Sequence, residues 1–116
     1  MVLLLHRRKD RLDKAVLDVT IDQLDEIIKS NKKVFVDVWA TWCMPCKVMS
    51  SIFEDIADKY EEILFVCVEA DSSDIVGDRL DIKSIPSFLG YKESALLNKK
   101  TGMMTVDELE EMVKLF

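Results

Sequence analysis

The segment Val34-Phe35-Val36-Asp37-Val38-Trp39 restricts the fold more than any other stretch of this chain. It is dense in β-branched and aromatic residues at odd and even positions alike. A strand of that composition offers apolar side chains to both faces of a sheet and needs helices over each. Immediately after it, Trp42-Cys43-Met44-Pro45-Cys46 leads into Val48, Met49, Ile52, Phe53, Ile56, Ala57 and Tyr60, which recur at helical spacing. A central strand feeding a long amphipathic helix is the core of an α/β layer architecture.

The rest of the chain supplies the other layers. Residues 15 to 19 read as a short first strand of partial burial. Thr20 and Gln23 form a capping-box pair ahead of Ile21, Leu24, Ile27 and Ile28, so a helix is expected to about Ser30. Residues 63 to 68 read as a second buried strand, 74 to 80 as a short helix, and 87 to 92 with 95 to 98 as an antiparallel hairpin around Glu93-Ser94 that Gly90 weakens locally. Thr105 and Glu108 repeat the capping box before Val106, Leu109, Met112, Val113 and Phe116. The expected order is βαβαβαββα, a mixed sheet with helices on both faces.

A chain of 116 residues with 49% apolar and 33% charged content, three Gly and two Pro fits one compact domain without a linker. Residues 1–14 hold five Lys/Arg against two Asp, leaving 11 against 20 for the remainder of a chain with net charge −6. The body is acidic, which argues against a nucleic-acid surface. Residues 1–14 are read as a basic, flexible extension with a solvated His6 and a basic run Arg7-Arg8-Lys9, and residues 15–116 as the domain. Val2-Leu3-Leu4-Leu5 is too short for a signal-peptide core or a membrane span, so a cytoplasmic protein without membrane contact is expected. Mitochondrial import is the alternative, weakened by Asp10, Asp13 and the absence of Ser from this head.

Of three cysteines only Cys43 and Cys46 are close, so a secreted disulfide framework explains them poorly. Three residues apart in a helix opening, they share one face and can bring their sulfurs within bonding range. Cys43 falls where the first free N–H groups of the helix point outward and favour a thiolate, which makes it the candidate nucleophile. Pro45 suits the first helical turn, where its missing N–H removes no hydrogen bond. A zinc site would need about four ligands, and only Cys67 and His6 remain as soft donors, so no metal is expected.

Asp37 stands inside an otherwise apolar strand, where desolvation raises a carboxyl pKa toward neutrality and suits the group to move protons. It is placed to take the proton of Cys46, directly or through water. The competing reading is an acid that reaches solvent at a sheet edge. Pro86, just before the strand from Ser87, marks an edge, a first strand position or a cis peptide bond.

Trp39-Ala40-Thr41-Trp42-Cys43-Met44-Pro45-Cys46-Lys47, with Ile85-Pro86-Ser87, resembles the active-site segment and cis-proline loop of the thioredoxin family. The similarity extends over about residues 15–116 and includes Phe35-Val36-Asp37, Ala57-Asp58-Lys59-Tyr60, Tyr91-Lys92 and Gly102. The resemblance implies a thioredoxin fold and a protein-disulfide reductase. In that reading Cys43 attacks a target disulfide, Cys46 resolves the mixed disulfide, and Asp37 is its base. Cis-Pro86 shapes the groove where substrate backbone docks, flanked by Trp42 and Ile85, with Met44 and Pro45 on the substrate side. No cofactor is implied beyond the redox-active disulfide Cys43–Cys46, recharged by thioredoxin reductase with NADPH. The partners implied are that reductase and disulfide-containing proteins, met by a monomer.

Four positions depart from the family pattern. Met44 stands where most members have Gly and adds flexible, uncharged bulk beside the nucleophile, which points to altered partner preference rather than lost chemistry. Ser51 replaces a helix-kinking proline, and Glu93-Ser94 an Asn-Gly type turn. Cys67 replaces a charged residue beside the buried aspartate, and is expected in the core as a small hydrophobe. The competing functions are a secretory-type disulfide oxidase or isomerase, which usually carries a histidine between the cysteines; a glutathione-dependent glutaredoxin; and a redox-inactive thioredoxin-fold binding or assembly module.

Overall fold

A computed structural model of the chain describes residues 15–70 and 74–116. The proposed extension 1–14, with His6 and Arg7-Arg8-Lys9, lies outside the described residues. The elements run β1 (Val16–Val19), α1 (Ile21–Ser30), β2 (Lys33–Trp39), α2 (Met44–Lys59), β3 (Leu64–Glu69), α3 (Ile75–Leu80), β4 (Ser87–Lys92), β5 (Ala95–Thr101) and α4 (Val106–Lys114). This is the expected order, and the sheet is mixed, in the spatial order β1-β3-β2-β4-β5. β2 lies at its centre, parallel to β3 and antiparallel to β4.

The alternation along β2 builds two separate cores. Val34, Val36 and Val38 point to one face and pack with Val66 and Val68 of β3, Leu24 of α1 and Val76 of α3. Phe35 points to the other, among Phe53 and Met49 of α2, Phe65, Phe88 and Leu109 of α4. The Phe35 ring stacks on Phe53 at a centroid distance of 5.5 Å and meets Phe65 edge-on at 5.7 Å. The doubly apolar composition of the segment thus reflects burial under helices on both sides.

Both capping boxes form. Thr20 accepts from the Gln23 N–H while Gln23 accepts from the Thr20 N–H, and Thr105 and Glu108 do the same at the start of α4. Thr105→Ala should cost about 1 kcal/mol of stability, because the Glu108 N–H in the first turn loses its acceptor; equilibrium urea unfolding would read it as a lower midpoint with unchanged slope.

The hairpin turns at Glu93-Ser94 as expected and differs from expectation in the length of β5 and the role of Gly90. β5 continues to Thr101 rather than ending at residue 98. Glu93 and Ser94 take φ of 52° and 70°, so two non-glycine residues adopt the left-handed backbone that a two-residue hairpin turn requires. Gly90, expected only to weaken the strand, sits where a Cβ would come 2.5 Å from Asn98 Oδ1 and 2.7 Å from Phe116 Cζ. Glycine lets the end of α4 close onto the sheet, and Asn98 Nδ2 there donates to the Met112 carbonyl at 3.1 Å. Among the described residues no helix is long and apolar enough to cross a membrane.

Candidate active site

β2 ends at Trp39, and the chain turns through Ala40, Thr41 and Trp42 into α2. Cys43 is the N-cap of α2, with extended backbone at φ −98° and ψ 106°. Its sulfur accepts the Cys46 N–H at 3.2 Å, so sulfur occupies the place a Ser or Asp oxygen ordinarily takes at a helix start. Cys43 and Cys46 are joined in a disulfide, with Cα atoms 5.3 Å apart. Pro45 lies at the second helical position, where its lack of an N–H leaves no bond unmade.

The two sulfurs are not equivalent. The Cys43 residue is 5% exposed and Cys46 1%, so any partner meets Cys43 first. Ala40, Cys43 and Cys46 form a small buried cluster completed by Trp39 and Ile85. Around it the rim is apolar and open: Trp42 is 74% exposed and Met44 66%, and Pro45 is exposed beside them. The Ile85–Pro86 peptide bond is cis, which resolves the three readings left open for Pro86. Pro86 is buried and its carbonyl accepts the Gly102 N–H at 2.8 Å, which fixes the loop ahead of β4. The structure therefore brings Cys43, Cys46 and Ile85 into one cluster, with Trp42, Met44 and Pro45 on its solvent side and Pro86 adjoining through Ile85.

Asp37 is buried at 2% exposure in the central strand, which removes the reading of an acid at a sheet edge. It shares the Phe35 and Trp39 face of β2, and Trp39 packs against the cysteine cluster. Its Oδ1 has no hydrogen-bond partner. Burial first, and the Glu54 carboxylate second, raise its pKa from the ordinary 3.8 to about 7.

Cys67 is a correction. It is not in either apolar core but half-buried, in register with Asp18 on one side and Asp37 on the other. Its thiol donates to Asp18 Oδ1 at 2.7 Å. Burial, that hydrogen bond and the neighbouring carboxylates Asp18 and Asp37 push its pKa upward, which keeps it a thiol and removes it as a nucleophile. Asp18 and Glu54, which flank this region, carry no local sequence signal. Asp18 sits in a short strand and Glu54 on the polar side of α2, and only the strand register and the helix packing bring them toward Asp37.

The chain matches the family model described as Thioredoxin over residues 15–115. The chain belongs to the thioredoxin family. It is 35% identical over 92 residues to the thioredoxin of Mycoplasmoides gallisepticum, a match covering 79% of this chain and 92% of that one. Among solved structures it is similar to thioredoxin f from spinach chloroplast, with TM-score 0.79, 28% identity and coverage of 86% of this chain and 91% of that one. A chain from a yeast structure titled for the thiol resolving mechanism of a mitochondrial 1-Cys peroxiredoxin via glutathione/thioredoxin systems also matches. Its TM-score is 0.79 at 26% identity, covering 87% of this chain and 95% of that one. As a thioredoxin-family member with its cysteine pair at the head of α2, the protein is a thiol–disulfide oxidoreductase that reduces protein disulfides.

Proposed function

We propose that Cys43 is the attacking sulfur, Cys46 the resolving one and Asp37 the base between them. The observation that carries this is the position of the disulfide: the more exposed sulfur caps α2, and the other is buried one turn further in. In the reduced protein the capping sulfur gains the N–H of Cys46 and the positive end of the helix, both of which favour thiolate. The Cys43 thiolate attacks one sulfur of the target disulfide, that S–S bond breaks, and the first target thiolate leaves and takes a proton from solvent. Cys46 then gives its proton to Asp37 and attacks the Cys43 sulfur, releasing the second target thiolate. The target gains two electrons and the pair loses two, closing the Cys43–Cys46 bond.

A carboxyl with pKa about 7 suits this role, because near neutrality it can both take and return a proton. Trp42, Met44, Pro45, Ile85 and Pro86 form the docking surface for an extended, disulfide-bearing segment of a folded or partly folded protein. Met44 sets partner preference there through its bulk. The electron source is thioredoxin reductase with NADPH, no bound cofactor is required, and the protein acts as a cytoplasmic monomer in electron transport and redox homeostasis. The family match and the yeast neighbour's peroxiredoxin context support protein disulfides as the substrate class.

Insulin reduction tests the reading, first with dithiothreitol and then with thioredoxin reductase and NADPH as electron donor. The protein should accelerate precipitation of the insulin B chain in both. Acceleration by dithiothreitol alone would overturn the assignment of the reductase. No acceleration in either would overturn the catalytic roles and leave a binding module.

A further inference from the structure

Asp37 is sealed from the surface on most sides, and Phe88 of β4 lies opposite it in the sheet. On the α2 side it lines a cavity of about 130 Å3, together with Asp18, Trp39, Ser50, Glu54 and Cys67. At about 30 Å3 per water, that space holds about four waters. The cavity runs from a buried end at Asp37 to exposed carboxylates at Asp18 and Glu54. Asp18, Trp39 and Cys67 also line a larger open groove of about 640 Å3, so the two spaces share these side chains.

Three observations orient this space. Asp18, Cys67 and Asp37 are consecutive in one row across β1, β3 and β2, because Cys67 is in register with both acids. The Cys67 thiol donates outward to Asp18. Asp37, the inner end of the row, lines the cavity, and its buried Oδ1 has no hydrogen-bond partner. The thiol fixes the outer carboxylate and leaves the inner one to exchange its proton with whatever fills the space between them.

We infer that Asp18 is the outer station of a proton route, which passes the proton that Asp37 takes from Cys46 through the cavity to solvent. Cys67 is a positioning residue that holds Asp18 at the mouth. This rests on the reading of Asp37 as base. In the step one O–H bond at Asp37 breaks and one forms at a cavity water, a proton moves on to the Asp18 carboxylate and then to bulk, and no electrons move. The charged and titratable groups facing Asp37 are Asp18 from β1, Cys67 from β3 and Glu54 from α2; β4 contributes only Phe88. Glu54 acts on Asp37 through its charge, and among the described residues no hydrogen bond holds it at the mouth.

The test follows single-turnover resolution of a mixed disulfide between Cys43 and a small aromatic thiol near pH 7, where Asp37 has to pass out the proton it already holds before it can take that of Cys46, in full-length Asp18→Asn, Asp18→Glu, Glu54→Gln and Asp37→Asn proteins. Release of the aromatic thiol is read by absorbance. Asp18→Asn should slow release about tenfold near pH 7, small permeant buffers such as imidazole should restore it in proportion to their concentration, and Asp18→Glu should keep most of the rate. Glu54→Gln should not show buffer rescue. A slow Asp37→Asn with an unaffected Asp18→Asn, or an Asp18→Asn defect that buffer does not rescue, overturns the proton route alone. An unaffected Asp37→Asn overturns the base assignment itself.

Discussion

Cys43→Ser should end turnover in the insulin assay, with a loss of more than about a thousandfold, the scale seen when a covalent nucleophile is removed. Cys46→Ser should behave differently. Its Cys43 can still open a target disulfide, but no second thiol stands one helical turn away to release the product. The expected result is one equivalent of target joined to the protein, visible as a higher band on a non-reducing gel and absent after dithiothreitol. The difference follows from the cap. Cys43 carries the helix-start environment and the exposure, whereas Cys46 is buried at 1% and reaches only its neighbour. If Cys46→Ser failed to trap a target while Cys43→Ser trapped one, the two roles would be reversed.

Asp37→Asn should make the oxidised protein more stable, and by an amount that depends on pH. The wild-type carboxyl has a pKa of about 7 in the folded state against 3.8 ordinarily. Below about pH 4 it is protonated in both states and has no differential effect. As pH rises from 4 to 7 the unfolded chain releases the proton while the folded chain holds it, so stability falls along that interval and levels off above 7. The accumulated cost is of the order of 4 kcal/mol at pH 8. Asparagine has the same shape and cannot ionise, so the gain of Asp37→Asn over wild type should be small at pH 4 and reach a few kcal/mol at pH 8. Urea unfolding of both proteins at pH 4, 6 and 8 measures it. A gain that does not change with pH would show that ionisation of Asp37 is not its source.

Much of this was legible before the structure. The doubly apolar run of β2, the helical spacing after Cys46 and both Thr-led capping boxes are local signals, and local chemistry determines them. Cys43 as cap and Asp37 as a buried acid follow from the same segment. The row Asp18–Cys67–Asp37 was not legible, because it depends on how strands distant in sequence align, and a shift of one residue would turn every one of these side chains to the other face. Cys67 was expected in a core for that reason: its neighbours Val66 and Val68 are in one, and a strand that alternates between two buried faces hides which side is less full. The end of β5 was missed because Asn98, Lys99 and Lys100 lie on an edge strand, where exposed polar residues leave no alternation to read. The two acids near Asp37, on β1 and α2, show how a site's electrostatics can be assembled from positions that are individually ordinary.

The disulfide ties α2 only to its own first turn and crosses no boundary between layers. Opening and closing it therefore leaves the packing of helices on sheet untouched, and the body behaves as a rigid handle for a small moving tool. If the rim is the docking surface proposed above, targets are told apart by what its fixed shape accepts, with the exposed Trp42 and Met44 as its most prominent edges. On that proposal, retuning the protein for a different clientele means reshaping a few side chains at that edge, with no change to the frame that carries them.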